Sequence, residues 1–152
     1  MAEKPSEILV FDFLAEEIAA AAVDSVLYSL ELHDTIFQKI KTNRGVRISD
    51  CVSQFAPYGT DEKEYDALIT LACFVRVEGK QKTNRQPALS DVFEIQKAIY
   101  ALFRAKADLN NRVCDSLLQR GGRGYDSLDG EPFAVANIPL IINPTGASYT
   151  NS

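Results

Sequence analysis

The stretch Tyr65–Gly79, YDALITLACFVRVEG, decides how the rest of the chain is read. Ala67, Ile69, Leu71, Cys73, Val75 and Val77 form one alternating set, and every member is apolar. The other set, Leu68, Thr70, Ala72, Phe74, Arg76 and Glu78, starts apolar and ends charged. A period of two over this length predicts a β-strand, because successive side chains of a strand point to opposite faces. One face belongs in a core. The other meets water, or another chain, toward its charged end.

Working outward, the next segment is Gly79–Ala88, GKQKTNRQPA, which carries Lys80, Lys82 and Arg85 and no anion. It reads either as a solvated loop or as an arm that meets an acidic surface on a partner. Residues 90–107 predict a helix. Asp91 and Glu94 have the spacing of a capping box, and Val92, Ile95, Ile99 and Leu102 make a stripe wide enough to cover a sheet face. Asp108–Arg112 breaks the pattern. Val113–Leu118 suits a short strand, and QRGGRGYDSLDG suits a hairpin-like connection. In Glu131–Asn143, the residues Ala134, Ala136, Ile138, Leu140 and Ile142 alternate on one face. Pro139 cannot donate to a ladder, so this strand is expected at an edge or with a bulge there. A free apolar edge invites aggregation, and a neighbouring subunit would cover it.

Upstream, Val46, Ile48, Cys51 and Val52 predict a strand with a bulge near Ser49-Asp50, between turn signals at Thr42–Gly45 and Pro57–Gly59. Residues 6–31 predict a long helix with Ser6 as N-cap, and His33–Thr35 a turn after it. The run Ile8–Phe13, apolar at nearly every position, also suits a helix packed between two subunits. Helices this few and this separated do not make a doubly wound sheet. The expected fold is α+β, an antiparallel or mixed sheet with two main helices packed on one face. A length of 152 residues fits a single domain, 1–152, with a loose tail from about residue 147.

Net charge is −5, which argues against general affinity for nucleic-acid phosphates. Cys51, Cys73 and Cys114 are scattered, and His33 is the one imidazole, so no metal site is predicted and the thiols read as buried or half-buried. The opening residues lack the form of a secretory leader, and no run approaches the roughly 20 apolar residues of a membrane span. A soluble protein made in the cytoplasm is expected. His33 near Glu31 and Asp34 suits a capping or solvated residue better than a catalyst. Arg120 and Arg123 suit a solvated loop or a partner contact better than a phosphate site, and aromatics are not interleaved with cations along the sequence. No catalytic residue and no cofactor is predicted, and the chain reads as not an enzyme.

Taken together, YDALITLACFVRVEG, the helix SDVFEIQKAIYALFRA and the segment RGYDSLDGEPFAVANIPLIIN, in that order after a long first helix, resemble the tail terminator (tail-completion) proteins of long-tailed bacteriophages. The resemblance runs from about Tyr65 onward and, more loosely, over the first helix. It implies a structural virion protein of the tail or neck, assembled in the host cytoplasm. Such a protein forms a hexameric ring on the tail-tube protein, ends tube growth and joins the head–tail connector, and sheath or other tail proteins where the tail contracts. DNA passes through the ring without specific binding. Subunit contacts are then expected at Arg76, Glu78, Lys80, Lys82 and Arg85, and at Ile138, Leu140 and Ile142. The alternatives are a small α+β ligand-binding or enzymatic domain, with His33 or the Ser127–Glu131 turn at a pocket mouth, or another connector of the neck.

Overall fold

A computed structural model describes residues 5–33, 40–55, 65–77, 86–113, 115–128 and 130–143. Its order is α1 (Ser6–Ala20), β1 (Glu31–His33), β2 (Arg44–Phe55), β3 (Tyr65–Arg76), α2 (Gln86–Ala105), β4 (Asp115–Leu118), β5 (Arg123–Leu128) and β6 (Glu131–Asn143). β3 pairs antiparallel with β2 on one side and with β6 on the other, from Ala67↔Ile142 to Arg76↔Phe133. β1 adds a short parallel ladder to β2. The result is a six-stranded mixed sheet in the order β1-β2-β3-β6-β4, with β5 also on β6. Both helices pack against it, and the fold is α+β.

The alternation of β3 translates directly into packing. Ala67, Ile69, Leu71, Cys73, Val75 and Val77 are all buried, and the register sets them beside Ala134, Ala136, Ile138, Leu140 and Ile142 of β6, all fully buried. Val10, Phe13 and Leu14 of α1 cover this face together with Ala88, Val92, Ile95, Ile99 and Phe103 of α2. Phe13 and Phe103 touch ring to ring, with centroids 5.4 Å apart, so the helices meet over the same face.

α1 stops at Ala20, short of the predicted 31. Past it the backbone groups find other partners. Ser25 Oγ accepts from the Leu27 amide at 3.1 Å, and the Arg44 guanidinium donates to the Val26 and Tyr28 carbonyls at 2.8 and 3.3 Å. These bonds favour a turn over further helix, while Leu30 still reaches the core. At the other end Pro5, not Ser6, holds the N-cap position. α2 starts at Gln86, with Pro87 in its first turn, so Asp91 and Glu94 lie inside the helix and form no capping box. The bulge in β2 falls between Ile48 and Asp50. The break after α2 contains left-handed backbone at Leu109, Asn110 and Asn111. Asn tolerates this conformation; Leu109 does so at a cost of about 1–2 kcal/mol, against which its side chain is fully buried.

β6 is not an edge strand. β4 covers Leu140–Asn143 and β5 covers Glu131–Ala136. Residues 119–122 face residues 137–139 between them, so β4 and β5 act as one strand with an extra residue at its middle. Pro139 sits opposite that irregularity. Its carbonyl accepts from the Gln119 amide at 3.0 Å, so its nitrogen also faces the β4–β5 side, away from β3. The missing donor falls where the ladder is already interrupted, and the bulge is on the neighbouring strand rather than on β6.

Gly121 makes this close approach possible. A Cβ there would lie 1.7 Å from the Asn137 carbonyl oxygen, whereas one at Gly124 would meet nothing within 4 Å. Gly121→Ala is therefore expected to lower stability by about 1–3 kcal/mol in urea unfolding, with Gly124→Ala far milder.

Candidate functional site

The sheet has a second face, and its two ends differ. Toward the Arg76 end it is closed. Phe74 and Phe133 are buried and pack edge to face with centroids 5.7 Å apart, joined by Ile40 and Leu128. Arg76 pairs with Glu131 and lies 4.8 Å over the Phe133 ring. The strand end that alternation assigns to water or a partner is thus covered by the chain itself, and Arg76 is engaged within the fold. Glu78, Lys80, Lys82 and Arg85 lie outside the described residues, as do Cys114 and the tail from 147.

At the opposite end the described residues leave the face open. The registers Val52↔Leu68, Leu68↔Ile141 and Leu117↔Ile141 align four aliphatic side chains in one row across β2, β3, β6 and β4. Val52 is 45% exposed and Leu117 61%; Leu68 and Ile141 between them are half-buried. The next row inward is mixed, with polar Asp50 and Thr70 in register beside Pro139. The row is a flat apolar strip held by four strands, which is how an interface core begins. Covering a half-exposed aliphatic side chain contributes on the order of 1 kcal/mol.

This placement corrects the sequence-based contact set. Ile138, Leu140 and Ile142 are fully buried beneath the helices and are core residues. On β6 it is Ile141, on the other face, that reaches the surface strip. The signal was present in the sequence, since Leu68 and Ile141 make both faces of their strands apolar near one end. What alternation cannot supply is the register that brings Val52 and Leu117 alongside.

His33 ends β1 and is buried, not in a solvated turn. Its Nε2 lies 2.5 Å from Glu31 Oε2, and its ring packs 6.0 Å from Phe74. Glu31 also accepts from the Thr42 hydroxyl at 2.6 Å, the Thr42 amide at 2.8 Å and the Lys41 amide at 3.1 Å. Burial by itself would raise the Glu31 pKa; the hydrogen bonds from Thr42, His33 and Lys41 outweigh it and hold the carboxyl at about 2. The pair is a clamp that ties β1 to the start of β2. Burial pushes the Cys73 thiol up to about 12; the Cys51 thiol rises to about 12 through burial and the neighbouring Glu7 carboxylate, so neither is a ready nucleophile. Among the described residues no group of three His, Cys, Asp or Glu is arranged for a metal ion, and no helix is long and apolar enough to cross a membrane.

No protein-family model matches the sequence, and no curated protein matches it.

A carboxyl held at about 2, against 4.5 for an ordinary glutamate, stabilises the fold above pH 4.5; that contribution fades as pH falls toward 2. Urea midpoints measured between pH 6 and pH 2 should therefore drop more steeply over that window for the wild type than for Glu31→Gln. Parallel curves would remove Glu31 as the acid-sensitive clamp.

Proposed function

We propose that the chain is a structural subunit of the tail-terminator kind. It assembles into a hexameric ring on the tail tube, ends tube growth and joins the tail to the head connector, with DNA passing through the ring. The observation that carries this reading is the open strip Val52, Leu68, Ile141 and Leu117, an apolar surface on a rigid sheet of the sort subunit contacts are built from. The order of elements that supports the resemblance adds to it. Ile8, 43% exposed on α1, offers a second apolar contact.

Mass in solution and negative-stain imaging test the proposal. The wild-type chain is expected to form six-fold rings with a central hole. The pair Val52→Asp and Leu117→Asp, both on the surface, should leave far-UV circular dichroism unchanged and abolish the rings. Ile138→Asp, in the core, should instead unfold the chain. Rings that persist in the Val52/Leu117 variant would sink the strip as the subunit contact, and a monomeric ligand-binding chain would sink the structural reading altogether.

A further inference from the structure

Aromatics and cations that stand several residues apart in the linear sequence are brought onto one line by the helix. Phe93, Lys97, Tyr100 and Arg104 are spaced by four, three and four residues, so they follow one line along α2. The 119–123 connection runs beside that line and brings Arg120 and Arg123. Between them lies a groove of about 360 Å³ lined by four cations; Lys97 pairs with Glu94 at 3.0 Å, and no described carboxylate lines the groove beside the three arginines. All four cations are exposed, in a chain whose net charge is −5.

The groove is built rather than incidental. The Tyr100 hydroxyl donates to the Gln119 carbonyl at 2.7 Å and accepts from the Gly121 amide at 3.0 Å, which fixes the connection to α2. Gln96, 2% exposed, donates to the Asn137 carbonyl at 2.9 Å and accepts from Arg123 Nη1 at 3.1 Å, which aims the guanidinium. Arg123 and Lys97 lie 4.3 and 4.8 Å over the Phe93 ring, and Arg104 lies 5.5 Å over Tyr100. Arginine stacked on an aromatic ring keeps its planar fork free for a bidentate oxyanion.

We propose that this groove binds the phosphodiester backbone of a single-stranded nucleic acid. Guanidinium planes stacked on Phe93 and Tyr100 offer both a flat face for a base and N–H edges for a phosphate; an acidic peptide would use the edges alone. From Lys97 to Arg104 the helix advances roughly 10 Å, about three nucleotides of a stacked strand at roughly 3.4 Å each. The inference is independent of the ring reading, because it uses α2 and the β4–β5 connection rather than the open sheet face.

The test is fluorescence anisotropy of a labelled twelve-nucleotide oligothymidylate titrated with the full chain, from about 50 to 200 mM salt. The wild type should bind, with affinity falling as salt rises. Arg104→Glu with Arg120→Glu should weaken binding at least about tenfold and make the log–log salt slope shallower by about 1.4, the share of two phosphate contacts on a single strand. Arg120→Gln alone, expected to weaken binding about threefold, serves if the double variant does not fold. Duplex of the same length should bind more weakly. No binding by the wild type, equal binding by the variants, or displacement of the oligonucleotide by polyglutamate at the same charge concentration would overturn the proposal, the last in favour of an acidic protein partner.

Discussion

The pairing of β3 with β6 is the constraint on which the rest of the molecule depends. Ten consecutive residue pairs, from Ala67↔Ile142 to Arg76↔Phe133, run without a register shift. Because side chains alternate, that one alignment sends Ile69, Leu71, Ile138 and Leu140 into a common core and sends Leu68 and Ile141 out together. A slip by one residue would exchange the two sets and place charged Arg76 against the helices. The helices then have a single apolar face to cover, and Phe13 and Phe103 close the layer between them.

The same alignment explains two features that look costly in isolation. Pro139 removes a donor from a central strand, yet the donor is missing only where β4 gives way to β5. The irregular connection at 119–122 in turn needs Gly121 against the Asn137 carbonyl. That connection also forms one wall of the basic groove beside α2. Strand chemistry, a glycine and a candidate binding surface are thus consequences of one interruption in one ladder.

Charge is distributed by the same logic of pairing. Glu16 and Glu17 on α1 meet Arg112 and Lys106 beyond α2 at 2.9 and 2.8 Å, and Asn110 bridges to both carboxylates. Glu16 is held below its usual carboxyl range first by its hydrogen bond from Arg112 and then by that from Asn110. Ion pairs at a surface add little to stability, so these orient α1 against the segment that follows α2 more than they stabilise the fold. Glu31 differs, because four donors converge on a half-buried carboxylate. Among the described residues the groove cations Arg104, Arg120 and Arg123 belong to no such clamp, which is why they stand out in an acidic chain.

Period-two alternation by itself determined β3, β6 and their buried sets, and the α+β class followed from two helical stretches separated by strands. The bulge near Ser49-Asp50 was legible too, because the apolar period shifts by one residue there. Helix ends were less legible. α1 ends early through bonds from Arg44, which is far away in sequence, and α2 begins before its apparent cap. Tertiary structure alone decided which of the two apolar faces is open, since that depends on what Ile40, Phe133 and Leu128 cover at one end and leave bare at the other. It also decided that Ile138, Leu140 and Ile142 are core while Val52, Leu68, Ile141 and Leu117 form a surface strip. Those assignments rest on register and on strand neighbours, and both are set by contacts between residues distant in the chain, which local pattern does not encode.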